Sequence, residues 1–121
     1  MKRIRYLFLL IILGCNYEKN DEDTYYNGKL VKQGICMNYV IQVNDINFPQ
    51  ELIEKKWADE SSGIEYENVF ALESVCDFPE NIEENDFFKF KIGNNSKINC
   101  FVCEAYTPVP KKYIKISVKT N

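Results

Sequence analysis

A chain of 121 residues with 45% hydrophobic and 27% charged content has room for one small globular domain. Fifteen Lys and Arg against 18 Asp and Glu give a formal net charge of −3 without a basic stripe, so no nucleic acid is expected as a partner. The absence of His removes the commonest general base and rules out a Ser-His-Asp arrangement.

Residues 1–15 read as a basic head, Lys2, Arg3 and Arg5, then an apolar run over 6–13, then Gly14-Cys15. A membrane-spanning helix needs about 20 apolar residues, and this run is much too short to be one. It has the length and order of an export leader. Ile12-Leu13-Gly14-Cys15 resembles the lipobox of bacterial lipoproteins. That resemblance implies cleavage after residue 14 and a Cys15 that carries diacylglycerol and a further acyl chain such as palmitate. The covalent lipid is then the one added group, with no cofactor and no metal expected. The implied partner is a membrane, and the implied location is the bacterial cell envelope, at the outer membrane. Buried acyl chains contribute about 0.8 kcal/mol per methylene, so several chains on Cys15 would hold the protein firmly. Loss of residues 1–14, which hold three basic and no acidic residues, would move the formal charge from −3 to −6.

Residues 16–27 contain Glu18, Lys19, Asp21, Glu22 and Asp23 and no aliphatic side chain. With little to bury, such a stretch is expected to remain a solvated tether. The expected division is a leader at 1–14, the lipidated Cys and its tether at 15–27, and a β domain at 28–121. An acidic run close behind a lipidated Cys is similar to the surface-export signals of Bacteroidota lipoproteins, although here Asn20 separates Lys19 from the acids. The similarity implies an outward-facing protein; a plain charged linker on a periplasm-facing one is the alternative.

From residue 28 the pattern turns to short alternating runs. Leu30 opens one; Tyr39, Ile41 and Val43 form the next; Phe88, Phe90 and Ile92 alternate with lysines, and so do Ile114, Ile116 and Val118 with Lys115, Ser117 and Lys119. Period two marks half-buried strands. Turn signals fall between them at Gly34, Asn44-Asp45, Ser61-Ser62-Gly63, Glu84-Asn85-Asp86, Gly93-Asn94-Asn95 and Pro108-Val109-Pro110. In residues 49–60, Leu52, Ile53 and Trp57 behind Pro49 predict one short helix or helical turn. The expected fold is mainly β, a five- to six-stranded OB-like barrel with one helical excursion, because closure removes edges a small sheet cannot protect. A two-sheet sandwich is the alternative. Residues 76–92, with 98–106 and 113–119, resemble the strand-loop-strand unit of small Bacteroidota lipoproteins of OB-like appearance, which implies architecture and no particular activity.

With Cys15 given to lipid, Cys36, Cys76, Cys100 and Cys103 remain, an even number for an oxidising compartment. Two structural disulfides are expected. In an extended chain, positions three apart lie about 10 Å from each other on opposite faces, beyond the reach of a bridge. Cys100 and Cys103 are therefore expected to have different partners, Cys36 and Cys76 each meeting one of them. A zinc site or a thioredoxin-like redox pair is the lesser reading of Cys100-Phe101-Val102-Cys103.

Catalytic chemistry is harder to find. Glu65 and Glu67 share one strand face and point to solvent, where neither would gain the raised pKa of a general acid. Ser61 and Ser62 lack an activating His, and five dispersed glycines make no phosphate loop. Of the aromatics, most are expected to fill the core, and Trp57 is the leading candidate to stack on a glycan or protein ligand. Lys111, Lys112, Lys115 and Lys119 are expected to form the solvated face of the last strand. The reading that follows is a non-enzymatic, membrane-anchored binding module. The alternative is an inhibitor of a hydrolase such as lysozyme or a protease, which would present a protruding loop at residues 107–112.

Overall fold

The computed structural model describes residues 24–120. The expected leader, the lipidation at Cys15 and all of the tether before Thr24 lie outside the described residues. Seven strands follow: β1 (Tyr26–Gln33), β2 (Tyr39–Val43), β3 (Glu54–Ala58), β4 (Glu65–Leu72), β5 (Phe87–Ile92), β6 (Tyr113–Ile114) and β7 (Ile116–Val118). The expected mainly β fold is present. All seven belong to one sheet in the order β3-β4-β2-β1-β5-β7, with β6 beside β4. Pairing is antiparallel throughout except between β4 and β6.

The C-terminal segment curls this sheet into an open barrel. Its first piece, β6, lies on β4 through Ala71 and Tyr113, whereas β7 lies on β5 through Ile92 and Ile116, with only Lys115 between the two. One strand-like stretch thus serves both flanks of the sheet. The Ser74 hydroxyl fixes the crossing by accepting from the Ile116 amide at 2.9 Å and donating to the Ile116 carbonyl at 3.0 Å. Gly93 adds an amide bond to the Lys115 carbonyl at 2.8 Å.

The alternation in the sequence fills the interior. Leu30, Ile41, Phe70, Leu72, Phe90, Ile114 and Ile116 form one buried cluster with Tyr26 and Phe48. Its centre is aromatic: Phe48 meets Tyr26 edge-on at 4.9 Å between centroids and stacks on Phe70 at 6.4 Å. Against β1 this packing leaves no room for a side chain at Gly28, where a Cβ would stand 2.8 Å from Cε1 of the buried Phe90. Alternation puts Leu30 in the main core and Val31, with Val40 and Val69, on the other face of the sheet, and a bulge between Leu30 and Lys32 then shifts the register of β1 on β2.

Strand β1 starts at Tyr26, within the span expected as tether, and the Tyr26 ring is buried against Phe48 and Phe90. Two expectations are corrected. The helical excursion is a single 3-10 turn at Gln50–Leu52; the remainder is strand β3, whose Trp57 pairs across to Tyr66. Cross-strand pairing outweighs the helix-like spacing there. Residues 98–106, resembling part of a strand unit, form no strand and lie in an irregular connection over 93–112.

Substituting Gly28→Ala is expected to cost about 1–3 kcal/mol, as overpacking of a tight core does, read as a lower urea midpoint at unchanged slope. An unchanged midpoint would show that Phe90 can move aside.

Candidate functional site

The longest irregular stretch among the described residues is held by both disulfides. Cys103 is bridged to Cys36 with Cα atoms 5.0 Å apart, and Cys100 to Cys76 with Cα atoms 5.4 Å apart. The partners come from different connections. Cys36 sits in the turn Ile35–Met37 between β1 and β2, and Cys76 in the turn Val75–Asp77 after β4. Cys36 and Met37 both have left-handed backbone, φ 58° and 61°, an uncommon state for side-chain-bearing residues. Gly34 closes this turn by donating its amide to the Asn38 carbonyl at 3.1 Å. The sulfurs of Met37 and Cys100 lie 4.0 Å apart, so the two bridges are neighbours. At the root of the connection the Asn94 amide donates to Asp77 Oδ2 at 2.7 Å and to the Ile116 carbonyl at 2.8 Å.

Between and beside the bridges the apolar side chains face water. Phe101 is 99% exposed and Tyr106 83%, with Ile35 and Ile98 also exposed. The loop expected to protrude, 107–112, does the opposite: Pro110 is buried and Val109 packs on the Val31, Val40 and Val69 cluster. Lys111 and Lys112 tie it down, through an amide bond to Glu54 Oε2 at 2.8 Å and ammonium bonds to the Glu51 and Ile53 carbonyls. The exposed part is the stretch just before it, 98–106.

A second cluster lies beneath that tie-down. Asp59, 2% exposed, directly follows β3 and receives the Ser61 amide at 3.0 Å, the Ser61 hydroxyl at 2.7 Å and the Ser62 hydroxyl at 3.1 Å. Lys32 from β1 completes it with an ion pair at 3.0 Å. The same ammonium donates to the Pro108 carbonyl at 3.2 Å and lies 5.7 Å from the centre of the Trp57 ring, which stacks on Tyr66. Burial alone would raise the Asp59 pKa, yet the hydroxyls, the lysine and the amide outweigh it and hold the carboxyl down to about 2. Tyr66 is pushed up, first by burial and then by the charges of Asp59 and Glu84.

Chemically this arrangement is a clasp. Lys32 lies 3.3 Å from the Ser61 hydroxyl and 3.0 Å from Asp59 Oδ2, so one ammonium links the hydroxyl and the carboxylate. Glu65 and Glu67 lie exposed on β4. Trp57 is half-buried within the clasp, on the opposite face from the main core. Among the described residues no group of three or more metal-ligating side chains is assembled. Sequence reasoning missed Asp59 and Lys32, which are brought together only when β2 has paired with both β1 and β4 in one sheet. It also missed Phe101 as a surface group, although two cysteines bound to different partners leave the residues between them little choice but to face outward. Compared with known proteins, the chain matches no family model, no curated protein and no solved structure.

Two outcomes follow. The bridge closing 67 residues should matter more than the one closing 24: replacing Cys36 and Cys103 by Ser should cost about 4 kcal/mol, and replacing Cys76 and Cys100 about 3 kcal/mol, by chemical denaturation. Negligible losses would mean that the bridges do not hold the loop, and equal losses would contradict the dependence on loop length. Because the folded pKa of Asp59 is depressed, its contribution is complete above about pH 4 and disappears as pH falls towards 2. Asp59→Asn should cost about 2–4 kcal/mol at pH 7, leaving Lys32 unpaired, and should flatten the stability profile between about pH 4 and 2. An unaltered acid limb in the variant would contradict this assignment.

Proposed function

We propose that the chain is a lipid-anchored protein of the bacterial cell envelope whose β domain is a non-catalytic binding module, with residues 98–106 as its contact surface. The observation that carries this reading is that both disulfides end in one irregular connection and leave Phe101 almost wholly exposed between them. Residues on well-held loops are where proteins place recognition, and exposed aromatic rings bind at low entropic cost. Support for the location comes from the same sulfurs, since paired cysteines belong in oxidising compartments. The lipobox-like Ile12-Leu13-Gly14-Cys15 supplies the anchor. Retention comes from the lipid, and display comes from the bridged loop.

A second reading, an inhibitor of an incoming hydrolase, draws on the same geometry. A loop fixed on both sides of Phe101-Val102 suits insertion into a cleft.

Cys15→Ala should move the chain from the membrane fraction to the soluble envelope fraction. On an array of envelope glycans, peptides and hydrolases, Phe101→Ser should lower binding by about tenfold or more, as for a hot-spot aromatic, while Trp57→Phe retains it. Unchanged fractionation would remove the anchor. Loss with Trp57→Phe and none with Phe101→Ser would move the contact surface to β3.

A further inference from the structure

We propose that the Cys76–Cys100 bridge is a reaction site, opened through a cleft beside it by a partner protein that carries a dithiol. The proposal rests on residues 98–106 being the contact surface, since opening the bridge is what releases that surface. The cleft has a volume of about 160 Å³ and lies between the turn Val75–Asp77 and the stretch 94–98. Cys76 is part of its lining, and Ser96 and Ile98, also in the lining, belong to the irregular connection itself. Its charged lining residues are Glu73, Asp77 and Lys115, and the exposed Lys97 lies between Ser96 and Ile98. Two acids are thus matched by two lysines, and the cleft sets no charge requirement on what enters. Across the bond, Cys100 is exposed, whereas Cys76 is half-buried. A thiolate leaves more readily into water than into a partly buried site, which solvates the anion less well. Entry at Cys76 with departure of Cys100 is therefore the direction the surroundings favour.

The partner's thiolate attacks the Cys76 sulfur, a bond between partner and Cys76 forms, and the Cys76–Cys100 bond breaks with its electron pair going to Cys100. With Cα atoms 5.4 Å apart, the freed Cys100 thiolate stays beside Cys76 and re-forms the bridge after attack by a monothiol. A dithiol escapes that reversal. Its second thiol attacks its own first sulfur, and Cys76 leaves as a thiolate that takes up a proton. The bridge is reduced to two cysteine thiols, the partner is oxidised to its disulfide, and the two thiol protons end on Cys76 and Cys100. The consequence is local because the segment has two other anchors. Asn94 keeps its bonds to Asp77 and the Ile116 carbonyl, and Cys103 keeps its bridge to Cys36. Residues 95–102, with Phe101 among them, are then held at their ends and free between. The bridge spanning 24 residues, against 67 for the other, is also the one whose opening costs the fold less. Both bridges are closed in the resting chain, and the partner turns an ordered contact surface into a mobile one.

The test uses the full chain in neutral detergent, with reduced thioredoxin as the dithiol and glutathione as the monothiol. Free thiols are trapped with N-ethylmaleimide and mapped by non-reducing mass spectrometry. With thioredoxin, Cys76 and Cys100 should be labelled about tenfold faster than Cys36 and Cys103, and glutathione at equal thiol should lag by about tenfold. Thioredoxin lacking its resolving thiol should be captured on Cys76. Capture should slow about tenfold in Ser96→Trp, an exposed lining position where a large ring fills the cleft. Chymotrypsin cleavage after Phe101 should rise about tenfold once the pair is labelled, with Trp57 fluorescence unchanged. Opening of Cys36–Cys103 first or at an equal rate, equal opening by glutathione, or capture on any other cysteine overturns the proposal. So does capture indifferent to Ser96→Trp, cleavage unchanged after labelling, or no opening below the urea transition. None of these readouts uses a ligand. Opening in the expected order, with array binding undiminished in Phe101→Ser, therefore keeps the reaction site and removes only its role in releasing a contact surface.

Discussion

Order in a protein loop usually comes from burial, and here it comes from sulfur. The connection over residues 93–112 forms no strand, and much of its apolar surface faces water. Fixing each backbone residue costs about 1–2 kcal/mol of entropy, which exposed side chains cannot return. Two cross-links from separate turns of the barrel offset that cost by restricting the unfolded chain, so Phe101 and Tyr106 can be held in place without being packed. The loop's availability and its order therefore have the same cause. A version of this domain without the bridges would have to bury those rings or let the segment move.

The barrel gives the bridges something to hold. Its last segment is shared between β4 and β5 across Lys115, and the Ser74 hydroxyl serves both the amide and the carbonyl of Ile116 at that crossing. On the outer face, residues 107–112 lie over Val31, Val40 and Val69 and end the exposed stretch. Lys32 and Asp59 complete this arrangement from below, joining β1 to the β3-β4 hairpin and reaching the Pro108 carbonyl. Every oxygen of the Asp59 carboxylate has a donor, and that satisfaction is what makes its burial tolerable.

Much of the barrel was legible because period two survives in the sequence. Phe88, Phe90 and Ile92, and again Ile114, Ile116 and Val118, lie on the strands their alternation marks, with the turns at Ser61-Ser62-Gly63 and Glu84-Asn85-Asp86 between strands. Trp57 was misplaced on a helix because Leu52, Ile53 and Trp57 recur at helical intervals, and only the partner Tyr66 on β4 shows that the segment is extended. Tyr26 stood beside an acidic run and read as tether, since nothing local announces a ring that meets Phe48 and Phe90. The Asp59 clasp depends on Lys32, twenty-seven positions away, and no local pattern encodes such a pair. Cysteine geometry was more informative. Three residues of extended chain keep Cys100 and Cys103 apart, which pointed to separate partners, but only the fold distinguishes Cys36–Cys103 with Cys76–Cys100 from the crossed alternative.

The decisive measurement is a non-reducing peptide map of the chain isolated from its own cells, with free thiols blocked at lysis. The account predicts two linked peptide pairs, Cys36 with Cys103 and Cys76 with Cys100, and no blocked thiol at any of the four. A bond between Cys100 and Cys103, or four blocked thiols, would contradict it, because the loop would then have nothing to hold its exposed rings in place.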